Sequence, residues 1–457
     1  MTPIPLIHSK DSHRGQQRKS AQRGSVLILV LWMSIGLVSI ALYFADAMSL
    51  ELRAADNRTS GLAAEHAIEG AARYVSWALT TLSTNGVMTT NSLFRCEDIA
   101  IGSARAWIIG RQPLANRSSP PSQPVFGLVD EASKLNLNCS YTNVLLCLPS
   151  MSGDLAEGIL DWRSTNSALM LNYESLGYFS KHGPFESVDE LRLIRGMTLP
   201  DLDGDDLNRN GVQDSVEKTL AAGRTYSPGL LEYVTVYSRE PNFHADGTTL
   251  TNINSRTELQ GLLEEAFGSS RATQLLNQLG FRGGSTPNLR SPLQFYLNSG
   301  LSSDDFEKIA SELGVTTNSF SYGRVNINSA PEPVLTALFM GAGVNEQTAL
   351  SASETLIEYR QRNLTSIGSI AWFVTALGLS HPVVTALAGR DWLTTRSFQY
   401  SADIAAVGPF GRGYRRVHFV FDLSDGSPKI IHRQDLSHLG WALGDTVRES
   451  LLVGTSP

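Results

Sequence analysis

Residues 25–45 form a run of 21 positions without a charge. At about 1.5 Å of rise per residue, a helix of that length spans roughly 30 Å, the thickness of a bilayer core. The run is longer than the apolar core of an ordinary signal peptide, which has about 7–15 residues. The helical pattern continues beyond it through Glu51, Leu52, Arg53, Ala54, Ala55, Ala63, Ala64, Ala67, Ile68 and Ala71, without proline. This predicts one long helix over 25–80, apolar in its first half and amphipathic in its second. Residues 81–124 are rich in Ser, Thr, Asn and Pro, with one strand-like piece at 106–109. VFGLVDE (125–131) reads as a second strand. From there to about 390 the pattern is mostly helical, with short strand-like breaks such as YVTVYS (233–238). SFQYSADIAAVG (397–408), RRVHFVFDL (415–423) and KIIHRQD (429–435) read as strands. Val417, Phe419 and Phe421 alternate in the second of these, and GPFGRG (408–413) makes a turn. Strands on both sides of a helical middle predict an α+β fold with a helical domain inserted into a small sheet.

The flank before the apolar run is basic. Lys10, Arg14, Arg18, Lys19 and Arg23 face the single acid Asp11. That asymmetry keeps the N-terminus cytoplasmic and sends the rest of the chain across the membrane. The plain reading is a signal anchor. Two details add to it: the basic leader ends at Arg23-Gly24, and the apolar run begins at Ser25 with no polar spacer. A basic leader ending in Gly, followed by such a helix, resembles the type IV prepilin class. That resemblance implies cleavage after Gly24 by a prepilin peptidase, with the apolar helix retained as a polymerisation stem.

Charge and cysteine content narrow the function classes. The formal charge is −7, and the leader contributes +4, so the remainder is near −11. An acidic chain argues against nucleic acid as the main partner. Cys96, Cys139 and Cys147 are an odd set. In an oxidising compartment one pair could bridge, Cys139–Cys147 being nearest in sequence, or all three could stay thiols. No HExxH, G-x-S-x-G, P-loop or CxxC is present, and the nine histidines have no partner at a useful spacing. Asp161-Trp162-Arg163 reads as a helix end with a packed Trp and an Asp/Arg pair. No enzyme is expected.

The helical middle contains an echo. DEASKLNLN (130–138) precedes ILDWR (159–163) and GPFESVDELRLIRGMT (183–198). GRVNINSAPEPVLTAL (323–338) precedes LIEYRQRN (356–363). Both hold an Asn-apolar-Asn segment, and both place an Arg after an apolar helix. NINSRTEL (252–259) is a weaker third copy. In isolation these resemble helix-hairpin-helix units, which would suggest a membrane-anchored protein of DNA binding or uptake. The acidic charge and the lack of a Lys/Arg cluster favour simple helix packing.

Together, the Gly24-Ser25 junction and stem, VDEASKLNLN, ILDWR, GPFESVDELRLIRGMT, VTVYSREPN and VNINSAPEPVLTAL resemble the type II secretion system minor pseudopilin K (GspK) family, from residue 23 to about 422. The resemblance implies a pilin-like fold with a large helix-hairpin-helix, SAM-like α-domain inserted between its strands. It divides the chain into a leader 1–24, a stem 25–80, a first part of the pilin-like domain 81–130, the inserted domain 131–390, and C-terminal strands 391–457. It implies a tip subunit of the pseudopilus, supporting protein export. The implied partners are the I- and J-type minor pseudopilins, the prepilin peptidase, the inner membrane and exported proteins, with the bulk of the chain in the periplasm. Most pilin-class stems resemble one another in a Glu at the fifth mature position, which pairs with the terminal amine of the subunit ahead. Here that position is Leu29. A carboxylate in the bilayer without a partner is costly, and a tip subunit has no neighbour ahead to supply one.

The sharpest chemical motif is DDLNRNGVQDSVE (205–217). Counted from Asp206, positions 1, 3, 5, 7, 9 and 12 are Asp206, Asn208, Asn210, Val212, Asp214 and Glu217, with Gly211 at position 6. That is EF-hand spacing. Calcium takes six to eight oxygens at about 2.3–2.6 Å, and alternate residues of a tight coil can deliver them. A structural Ca2+ is the expected cofactor. Asp201, Asp203 and Asp205 lie just upstream and could serve a second ion or only raise the field. The helical stretch 188–196 is expected to break at Met197–Pro200 before the loop, leaving a stand-alone clip. A calcium-dependent surface hydrolase on an anchor is a third reading, without a catalytic constellation to support it.

Overall fold

The computed structural model describes residues 22–453 apart from 85, 89–93, 112–122, 166–172, 222, 224, 225, 284 and 365. Most of the expected leader lies outside the described residues. The first helix, α1 (Gln22–Leu82), takes in the Gly24-Ser25 junction and the whole apolar run. The chain parts into two compact units after Thr59. The first is helical from Gln22 on, and its large apolar side chains, Leu29 among them, are open to the surroundings. Among the described residues it holds the one helix long and apolar enough to cross a membrane.

The second unit is built around a six-stranded antiparallel sheet. Its strands are β1 (Ile99–Ile101), β2 (Ala104–Ile109), β3 (Val129–Asp130), β4 (Gln399–Val407), β5 (Arg415–Asp422) and β6 (Lys429–Asp435). The order is β6-β5-β4-β2-β1, with β3 also paired to β4. Thus β4 lies beside β2 and β3 although more than two hundred residues separate them in sequence. The expected strands 397–408, 415–423 and 429–435 are present, the first shorter by three residues and the second by one. The expected strand 125–131 is a strand only at Val129 and Asp130, with an isolated bridge from Phe126 to Ile109 before it. The Asp130 carboxylate accepts from the Ala132 N–H and caps a 3-10 turn over Glu131–Ser133, which ends the strand early.

All nine residues of β4 are buried, so both faces of the sheet are covered. On one face Ala64, Ala67, Ile68, Ala71, Ala72, Val75 and Leu79 of α1 pack on Ile108, Ala402, Ile404, Val417, Phe419 and Phe421. Small residues let the helix approach closely. A Cβ on Gly70 would lie 2.8 Å from Ile101 Cγ2. On the other face Trp107, Ile109, Ala405 and Val407 are covered by Ala442, Leu443 and Val447. These belong to a segment that ends in the helix Gly444–Val453. The expectation of strands alone at the C-terminus is therefore corrected. The strands stop at Asp435, because the second apolar face needs a lid and a helix supplies it.

The residues between β3 and β4 form three units of one plan. Each opens on an Asn-apolar-Asn segment whose first two-residue bridge is parallel: 135–136 with 234–235, 251–252 with 313–314, and 325–326 with 393–394. The first Asn of each segment accepts, through Oδ1, the N–H of the second: Asn136 from Asn138, Asn252 from Asn254 and Asn326 from Asn328. The Asn138 amide exchanges two hydrogen bonds with the main chain of Phe185, and Asn254 does the same with Leu289. The echoed arginines match as well. Arg163 donates to the carbonyls of Leu137 and Ser140, and Arg360 to those of Ile327 and Ala330. The weaker third copy at 252–259 thus shares the parallel bridge and the Asn contacts, and the hairpins pack their helices into one core. Cys96, Cys139 and Cys147 are free thiols.

Candidate metal centre

The acidic loop belongs to the first repeat and lies between the helices Leu199–Asp203 and Ser215–Ala221. Its approach differs from the expected simple break. Val188–Leu193 is a 3-10 helix capped by Ser187 and Glu190. Pro200 then sits inside a new helical turn, where its missing N–H costs nothing, and Thr198 and Asp201 cap that turn reciprocally. The chain pinches at the base of the loop. Gly204 has φ +63, and a Cβ there would lie 2.1 Å from the Ser227 carbonyl oxygen.

Within the loop the expected ligands turn inward. Asp206, Asn210 and Glu217 are buried. The Asp206 carboxylate accepts from the N–H of Asn210 at 2.9 Å and of Gly211 at 2.8 Å. Gly211, at φ +82, makes the sharp turn the motif requires. Asn208 Oδ1 accepts from Asn210 N–H at 3.1 Å, and Asn210 Oδ1 from Val212 N–H at 2.9 Å. Glu217 closes the ring: its oxygens accept from Leu207 N–H and Asp214 N–H, each at 2.8 Å. The Asp214 carboxylate accepts from the side-chain amides of Asn208 and Asn210. All six expected ligand residues are therefore part of one coil.

Burial pushes the Asp206 carboxyl up to about 7, against the pull of Arg111. It raises Asp214 and Glu217 too. Three carboxyls that resist ionisation for want of compensating charge are what a divalent cation would relieve. The donor set is all oxygen, which suits a hard ion such as calcium rather than zinc. The carboxylates are parted, each held by loop donors, and among the described residues no group of three His, Cys, Asp or Glu is gathered tightly enough to hold a metal. Cation binding would therefore require their oxygens to turn from N–H donors toward a common centre. The upstream acids have other tasks. Asp201 caps its helix, Asp203 pairs with Arg209 at 2.8 Å, and Asp205 accepts from Ser227 N–H.

Two arginines fix the loop to the sheet, and sequence reasoning did not find them. Arg416 on β5 is fully buried, pairs with Asp403 on β4, and donates to the carbonyls of Asn208 and Arg209. Arg111, just after β2, donates to the Arg209 carbonyl at 2.8 Å and to Glu232 at 2.8 Å. Their partners are distant in sequence, so no local spacing marks them. The expected Asp161/Arg163 pair does not form: Arg163 serves main-chain carbonyls, and the buried Asp161 carboxylate has no hydrogen-bond partner among the described residues. Trp162 is packed as expected and donates to Glu190 at 3.0 Å.

Fold and site thus define an α+β protein with one long apolar N-terminal helix, a two-faced antiparallel sheet, and an EF-hand-type loop on an inserted helical domain. The chain matches no protein-family model and no curated protein. Among solved structures it is similar to a chain of the GspK-GspI-GspJ complex from the enterotoxigenic Escherichia coli Type 2 Secretion System. The TM-score is 0.41 at 9% identity, over 84% of this chain and 99% of that one.

Proposed function

We propose that this chain is a minor pseudopilin of a type II secretion system, at the tip of the pseudopilus, where it supports filament assembly and protein export. The observation that carries this reading is α1. One unbroken helix takes in the Gly24-Ser25 junction and the exposed apolar run, and its small-residue face then packs on the sheet. That is the build of a stem cut on its cytoplasmic side and kept. Leu29, apolar and open, suits a subunit with none ahead. The anchor would be single-pass in the inner membrane, with the N-terminus cytoplasmic and the bulk periplasmic. The I- and J-type minor pseudopilins would be its partners, the prepilin peptidase its processing enzyme, and exported proteins a further contact. No catalysis is assigned.

Calcium has a structural task in this reading. Asp206, Asn208, Asn210, Asp214 and Glu217 would hold it through side-chain oxygens and Val212 through its carbonyl. The ion would offset the repulsion among two buried carboxylates, Asp206 and Glu217, and the half-buried Asp214. Co-expression of the full chain with I- and J-type minor pseudopilins, followed by affinity purification through this chain, tests the assembly role. Recovery of a stable complex of all three is expected. Recovery of this chain alone would overturn the partner assignment.

A further inference from the structure

Away from the acidic loop, the repeats that open at 135 and 325 enclose a cavity of about 250 Å3 at their seam. Its floor is apolar. Leu135 and Val144 come from one repeat and Leu338 from the other, and all three are buried. Its rim is aromatic. Tyr141 and Tyr322 line it with rings that are 59% and 57% exposed. Trp392, from the segment that closes the later repeat, stands beside Tyr141 with ring centres 5.2 Å apart. The Arg390 guanidinium lies 4.5 Å from the centre of the Trp392 ring and holds the indole in place. Gly323 lets the two repeats close. It has φ +72, and a Cβ there would lie 2.6 Å from Cys139 Cβ. Tyr322, its neighbour in the chain, is thereby held at the rim.

One polar atom in this wall is left over. Asp391 lines the cavity, and its Oδ2 accepts from Arg324 Nη2 at 2.7 Å. Its Oδ1 is buried and has no hydrogen-bond partner among the described residues. A buried acceptor without a donor costs free energy that a donor on a ligand would recover. Charge decides what kind of ligand that is. Arg324 and Arg396 together offset Glu240 and Asp391, so the carboxylate is already neutralised. A cationic ligand would meet Arg324 and Arg390, and an anionic one would meet Asp391. A neutral molecule with hydroxyl donors at its edge and an apolar face for a tyrosine ring fits both walls. A pyranose sugar has both features.

We propose that this cavity is a carbohydrate site that takes one neutral pyranose ring of a glycan. Tyr141 and Tyr322 supply the faces on which the ring lies, and Asp391 Oδ1 accepts from a sugar hydroxyl and fixes its orientation. The inference goes beyond the secretion reading and does not rest on calcium.

The full chain in polyoxyethylene micelles, which carry no sugar, is titrated by calorimetry with maltotriose and with tri-N-acetylchitotriose. Binding of at least one is expected, with a dissociation constant of about 1 mM or below. Which of the two binds separates an α-linked glucan from an amino-sugar chain as the source. Tyr141→Ala and Tyr322→Ala change exposed rings, so each is expected to weaken binding about fivefold while thermal melting stays unchanged. Asp391→Asn is expected to weaken it about tenfold. Cys139 gives a readout at the cavity itself, since it is an exposed free thiol on the wall. Sugar at ten times its dissociation constant is expected to slow Cys139 alkylation by N-ethylmaleimide about tenfold and to leave Cys96 unchanged. Failure of both sugars to bind and to protect Cys139 would overturn the inference, as would undiminished affinity in both tyrosine variants.

Discussion

Asn254 and Leu289 are joined by two hydrogen bonds: the Asn254 side chain donates to the Leu289 carbonyl at 2.9 Å and accepts from its N–H at 2.8 Å. One amide thereby acts as a piece of backbone, and it ties the start of a repeat to the loop before its third helix. Asn138 does the same with Phe185. Asn328 donates to Ile367 and accepts from the Trp372 indole. Replacing any of the three by Ala leaves half-buried main-chain groups unpaired. Each substitution is expected to cost about 2–4 kcal/mol, similar at all three sites. Urea unfolding followed by circular dichroism checks this. Equal costs support one plan repeated three times, and a negligible cost at any one would single that unit out.

Arg416 has no exposed surface and satisfies Asp403 together with two loop carbonyls. Arg416→Met should leave Asp403 as an unpaired buried charge and cost about 3–5 kcal/mol. Arg416→Lys keeps the charge but not the fork, so it should recover only part of the loss. Melting temperatures of the three proteins give the order directly.

The loop makes a prediction of its own. Asp206→Asn and Glu217→Gln should each weaken calcium binding by at least about tenfold, Glu217 being the bidentate member of the set. Calcium at a hundred times its dissociation constant should stabilise the native chain by about 2.7 kcal/mol, and both variants should lose that gain. Isothermal titration and thermal melting with and without chelator measure the two effects.

These sites differ in how far the sequence announced them. The EF-hand-type spacing is local, six candidate positions within twelve residues, and is visible. The strands of 399–435 are visible because each runs over seven or more residues, with Val417, Phe419 and Phe421 alternating in β5. β1, with only Ile99, Ala100 and Ile101, offers too short a pattern. The helix Gly444–Val453 reads as tail, although its Val447 packs on the sheet together with Ala442 and Leu443 just before it. Arg111 and Arg416 lie 98 and 208 positions from the loop residues they hold, so nothing short of the fold places them. The Asn-apolar-Asn segments were legible as an echo. Their role as turn locks was not, since it depends on Phe185, Leu289 and Ile367 arriving from elsewhere.

His418 on β5 supplies a pH test. Burial, with Lys134 and His432 nearby, pushes its imidazole down to about 4 from an ordinary 6.5, against the pull of Asp403 and Glu131. The unfolded chain therefore binds a proton that the native chain refuses between those values. The contribution is fully present above pH 6.5 and is lost as pH falls toward 4. Discounted because the residue is only half-buried, it amounts to about 2 kcal/mol. As pH is lowered from 7.5 to 4, urea midpoints should drop more steeply for the unaltered chain than for His418→Gln. Parallel curves would show that His418 is not the responsible group.

The most direct test of the central claim is the mature N-terminus, read by mass spectrometry from protein made with and without a prepilin peptidase. The account predicts a chain that begins at Ser25, N-methylated, only when the peptidase is present. An intact Met1 under both conditions, or a cut on the far side of the apolar run near Ala45 to Ala47, would contradict it and leave a plain anchor or a released protein.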